Sequence, residues 1–119
     1  MNTHIIISLF HIFLVVPFFL YVAFQRNNNP IPVYYSLIVL ALILFLYHGY
    51  KAYIRLSAKS PYAWVNIIHM AIIAPLLFYI GLKKKDAPRS SYEILAMVGF
   101  AALGYHLYSM VRTMMLEDD

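Results

Sequence analysis

Four stretches of this chain contain no Asp, Glu, Lys or Arg: Ile5–Phe24, Val33–Tyr50, Ala63–Leu82 and Ile94–Val111. They are 18 or 20 residues long, and a helix rising 1.5 Å per residue needs ~20 to cross the ~30 Å hydrocarbon layer of a bilayer. No other feature constrains the fold as strongly. With 63% hydrophobic and 12% charged residues in a chain of 119, the composition excludes a water-soluble domain of this length. The expected fold is all-α, an integral membrane four-helix bundle with spans at 5–24, 33–50, 63–82 and 94–111. The connectors, 25–32, 51–62 and 83–93, are too short for a soluble domain, so function is expected in the bundle or on its rims.

The first span does not read as a signal peptide: no Lys or Arg precedes it, it runs too long, and no small-x-small pattern follows Tyr21. Without cysteine there is no disulfide and no thiolate metal site. The net charge of +4 comes from basic residues at the span ends, too few and too scattered for a nucleic-acid face. Lys83, Lys84 and Lys85 directly follow a span and are expected to meet anionic lipid headgroups. An even number of spans puts both termini on one side. That side carries Lys51, Arg55, Lys59 and Arg112, against Arg26, Lys83, Lys84, Lys85 and Arg89 opposite, which leans 25–32 and 83–93 toward the cytoplasm.

Shifting the chain by 58 residues aligns HIFLVVPFFLY (11–21) with HMAIIAPLLFY (69–79) and YHGY (47–50) with YHLY (105–108). Between 2–56 and 60–114, nine of the 55 positions are identical: His11, Pro17, Tyr21, Pro30, Tyr34, Leu37, Tyr47, His48 and Tyr50 meet their counterparts. Only one of these is aliphatic, whereas chance matches between apolar helices fall mostly on Leu, Ile, Val and Ala. The pattern predicts a tandem duplication of a transmembrane hairpin, 1–59 and 60–119, giving parallel repeats with a pseudo-two-fold axis along the membrane normal.

The duplication carries His11, His48, His69 and His106, all placed toward the face that holds the termini; His4 lies outside this layer. His106 shares a helical stripe with Gly99, Ala102 and Ser109, a small-residue face that lets membrane helices approach closely, and His48 shares one with Ala41, Leu44 and Ala52, a weaker version of it. Ser8 and Asn66, one turn before His11 and His69, can each hold a ring nitrogen. Tyr47 and Tyr105 adjoin His48 and His106 in sequence. Pro17 and Pro75 are expected to kink their helices and release the carbonyls of Phe13 and Ala71.

Inward imidazoles in a membrane suggest a site that binds haem or a transition metal, with the four histidines as ligands, for electron transfer or metal handling. A structural or assembly protein with no ligand is the alternative, and a histidine-based proton or ion pathway a further one. The spans contain no Asp or Glu, which argues against a carboxylate-bridged metal centre. No phosphate-binding, zinc-hydrolase or Ser-His-Asp motif occurs, so catalysis is not the expected role. Exposed Ala and Gly faces leave room for a homo-oligomer.

Overall fold

The computed structural model describes residues 2–118, and among these every regular element is helical. Four helices are long and apolar enough to cross a membrane. We number them α1 (Thr3–Asn28), α2 (Ile31–Ser57), α3 (Ala63–Asp86) and α4 (Arg89–Asp118). Each outruns the charge-free stretch that predicts it. Helical hydrogen bonding continues past the apolar run where Tyr, Lys and Arg, each with an apolar stem and a polar end, suit a membrane rim.

Local chemistry sets the ends. Asn2 caps α1, its side-chain oxygen accepting from the His4 N–H at 2.7 Å. Proline stands in the first turn of α2, where its missing N–H costs nothing. Lys59, at φ 55°, takes the left-handed position after α2, and Ser60 N–H reaches back to Arg55 O at 2.8 Å to close the helix end.

The helices associate as two compact units, Met1–Arg26 with Tyr92–Asp119 and Asn27–Ser91. The first pairs α1 with α4 and the second pairs α2 with α3. Each unit therefore draws one helix from each half of the sequence, whereas the duplication expected from the sequence would divide the chain into consecutive hairpins.

Buried positions form stripes: Tyr34, Leu37, Ala41 and Ala52 on α2; Ala63, Asn66, Ile73, Ala74, Leu77, Ile80 and Gly81 on α3; Ser8, Val16, Phe19, Val22 and Ala23 on α1; Tyr92, Leu95, Gly99 and His106 on α4. The outward faces keep large apolar side chains, among them Phe13, Leu46 and Met97, each about two-thirds or more exposed. A hydrocarbon surround accommodates such a surface and water does not. Small residues recur in the buried stripes because lipid tails are as apolar as Leu, so membrane helices gain from close contact more than from apolar burial.

The backbones of α2 and α3 approach closely at Gly81. A Cβ placed there would lie 2.6 Å from Ile38 Cγ1 and 2.8 Å from the Tyr34 carbonyl oxygen. The carbonyl belongs to a helix backbone and cannot step aside. Gly81→Ala is therefore expected to force α2 and α3 apart and to lower stability by roughly 1–3 kcal/mol, read as an earlier unfolding transition in detergent. Gly104→Ala, at a position with nothing within 4 Å, should leave the transition in place.

Candidate functional site

Each odd-numbered helix departs from α geometry at the same relative place. Residues His11–Val15 and His69–Ile73 form single π-helical turns, followed at once by the segments that contain Pro17 and Pro75. Proline has no N–H for the carbonyl four residues back, and its ring crowds that carbonyl. The helix responds by opening one turn. Val16 N–H reaches five residues back to His11 O, and Ala74 N–H reaches His69 O. The expected distortion at the two prolines thus takes the form of a π-turn whose first residue is a histidine.

Both of these histidines fold back on their own helix. Nδ1 of His11 lies 2.8 Å from Ile7 O, and Nδ1 of His69 lies 2.7 Å from Val65 O. A carbonyl oxygen only accepts, so Nδ1 carries the hydrogen and the lone pair of the neutral ring is on Nε2. Ser8 was expected to hold His11 from one turn away; the carbonyl of Ile7 does so instead, and Ser8 is buried.

The structure brings the four histidines together as two face-to-face pairs. In the α1–α4 unit, His11 stacks on His106 with ring centroids 4.1 Å apart and planes at 20°. In the α2–α3 unit, His48 stacks on His69 at 4.0 Å and 16°. His106 is buried and the other three rings are half-buried.

Asn66 was expected to serve His69, its neighbour one turn along α3, but serves His48 on the facing helix. Its side chain is 2% exposed. The Arg55 guanidinium donates to Asn66 Oδ1 at 2.8 Å, which fixes the amide's orientation because arginine can only donate. The amide nitrogen then faces His48 Nδ1 at 2.8 Å and donates to it. His48 consequently carries its hydrogen on Nε2, opposite to His69. The two stacked rings are held in different tautomers by different partners, one a main-chain carbonyl and one a side-chain amide.

Tyr47 and Tyr105 meet the adjacent rings of His48 and His106 almost at right angles, at 85° and 79°, with centroids 5.1 Å apart in both cases. These are aromatic edge contacts. Pro17 and Pro75 are exposed and act on the site through the backbone. His4 is exposed and contributes its main-chain N–H to the cap of α1.

Arg55 is the residue that sequence reasoning missed as part of a site, having been counted only as a rim charge. Its signal was available: it follows His48 by seven residues, two turns along the same face of α2.

A metal ion sits in the plane of the imidazole that binds it, about 2.0–2.1 Å from the nitrogen. Rings facing each other at 4.0 or 4.1 Å keep their nitrogens in nearly parallel planes. The two members of one stack therefore cannot both reach a single ion, nor grip a haem iron from opposite sides. Among the described residues no group of three or more His, Cys, Asp or Glu side chains is placed to hold a metal ion.

No protein-family model matches the chain, and neither do any curated protein and any solved structure.

The tautomers are open to direct measurement. In ¹⁵N-histidine spectra at a pH where the rings are neutral, His11 and His69 should show a protonated Nδ1, and His48 a protonated Nε2. Replacing Asn66 by Leu should release His48 to a mixture of tautomers and leave His11 unchanged.

Proposed function

We propose that this chain is a small multi-pass membrane protein of structural or assembly type, in which the intramembrane histidines serve as polar clamps between paired helices. The observation that carries the reading is the Arg55–Asn66–His48 relay, which joins α2 to α3 through two 2.8 Å hydrogen bonds and ends on the ring stacked against His69. Between helices that have little else polar to offer, such bonds hold depth and rotation where apolar packing alone would let the helices slide. The ring stack adds contact with a defined geometry.

The proposal includes the origin of the arrangement as a tandem duplication of a hairpin with an offset of 58. It is supported by the recurrence, at matched positions, of the π-turns, the Nδ1-to-carbonyl bonds, the ring stacks and the backbone at Arg26 (φ 50°, ψ −127°) and Lys84 (φ 52°, ψ −125°). It also places both termini on one side of the membrane, Lys83, Lys84 and Lys85 among anionic headgroups, and leaves the outward faces available for a second copy of the chain.

A second reading, haem or a transition metal, is favoured by one specific observation. Histidines that ligate metals commonly donate their other ring N–H to a carbonyl, as His11 and His69 do. In that reading each stack supplies at most one ligand, from the ring whose lone pair is on Nε2, and its partner ring only orients it.

Protein purified in detergent separates the two. The clamp reading expects it colourless and free of stoichiometric copper, zinc or iron, with Asn66→Ala lowering stability by about 1–3 kcal/mol. A double-mutant cycle between His48 and Asn66 should give a coupling of about 0.5–2 kcal/mol. A Soret band, or a metal retained at one per chain and lost with His69→Ala, would replace the clamp reading by the second.

A further inference from the structure

The corner where α3 ends holds a cation in a costly backbone conformation. Lys84 follows the α-helical segment Ala74–Lys83 with φ 52° and ψ −125°, close to the first central position of a type II′ turn, where glycine is preferred. Its N–H still closes the helix on Ile80 O, and Asn27 Nδ2 donates to the carbonyl of the next residue, Lys85. From this position the side chain crosses to α2. Nζ lies 3.4 Å from the Tyr35 hydroxyl oxygen and 4.8 Å from the centre of the Tyr35 ring.

An ammonium and a phenol, delivered by two helices, therefore converge within hydrogen-bond reach of a common point. Lys83 and Lys85 stand exposed on either side. The corner directly follows an apolar run, the level at which headgroup phosphates lie when a helix spans a bilayer.

The counterpart 58 residues earlier differs in one decisive respect. Arg26 occupies the place of Lys84 with almost the same backbone angles, but the position matching Tyr35 is Glu93, and Gln25 and Asn27 stand where Lys83 and Lys85 do. The Arg26 corner has its carboxylate at the place of Tyr35. The Lys84 corner has a phenol there and two more lysines, and its carboxylate, the exposed Asp86, stands instead at the place of Asn28.

We infer that the Lys84–Tyr35 corner, flanked by Lys83 and Lys85, binds the phosphate of an anionic phospholipid headgroup, and that the Arg26 corner does not. Lys84 neutralises the phosphate, the Tyr35 hydroxyl donates a second hydrogen bond to it, and the flanking lysines raise the local concentration of anionic lipid. This goes beyond the histidine clamps and does not depend on them; it rests only on the reading that the four helices cross a bilayer.

The test is lipid preference of the full chain in nanodiscs of phosphatidylcholine mixed with phosphatidylglycerol, scored as lipid retained by the protein on extraction and as competition by added inorganic phosphate. The chain should enrich phosphatidylglycerol, and free phosphate should compete poorly because it lacks the acyl anchor. Lys84→Gln should reduce the enrichment about fivefold. Tyr35→Glu, which gives this corner the carboxylate of its counterpart, should abolish it, and Arg26→Gln should leave it in place. Lys84→Gly relieves the positive φ, so it should fold at least as well as the parent and still lose the preference. Full enrichment in Lys84→Gly and Tyr35→Glu, or an equal loss in Arg26→Gln, overturns the site. Inorganic phosphate displacing lipid at equal concentration overturns the lipid assignment. A chain that fails to enter nanodiscs overturns the bilayer reading along with the site, whereas the histidine clamps are scored separately by the Asn66 cycle.

Discussion

A peptide group inside hydrocarbon has no water to turn to, so each N–H and C=O must be satisfied by its own helix or by a protein partner. The rest of this structure is arranged around that requirement. It is why four apolar stretches become four continuous helices. It also explains what happens at Pro17 and Pro75. A residue that brings no N–H into such a helix forces the backbone to find other pairings, and the chain does so by widening a single turn. The histidine at the start of that turn gives its carbonyl to the residue five positions on and bonds its ring to a carbonyl one turn back.

The polar side chains answer to the same requirement. Asn66 is buried with both ends of its amide engaged, one by an arginine and one by a histidine. Had either partner been apolar, the amide would have been left open in a surround that cannot hydrate it. The ring stacks complete the arrangement by covering the flat faces of imidazoles, three of which, His11, His48 and His69, have Nδ1 hydrogen-bonded. Within each stack the two rings lie in nearly parallel planes, so the two members of a pair do not converge on one ion.

Much of the fold could be read from residue types. Charge-free runs marked the four long apolar helices, and the stripes around His48 and His106 contained the buried Ala41, Ala52, Gly99 and His106. What could not be read was which helix faces which. A hairpin repeat suggests pairing within each half of the chain, yet His11 meets His106 and His48 meets His69, so each polar pair joins a helix of the first half to a helix of the second. For the same reason Asn66 was matched to the nearest histidine along its own helix when its true partner lies across the pair. Arg55 escaped notice because an arginine near the end of a span normally needs no explanation beyond the rim itself.

The π-turns have a consequence for phase. In an unbroken α-helix, residues eight apart are turned about 80° from each other, so Ser8 and Val16 would look in different directions, and so would Asn66 and Ala74. All four are buried, because the extra residue taken up by the π-turn between the members of each pair is not counted in the helical rotation. The polar half and the apolar half of each helix are thereby kept on one meridian. A chain that lost one residue between His11 and Val15 would become a plain α-helix with its two halves still aligned, which makes these five positions the place where that helix can change length without changing what it faces.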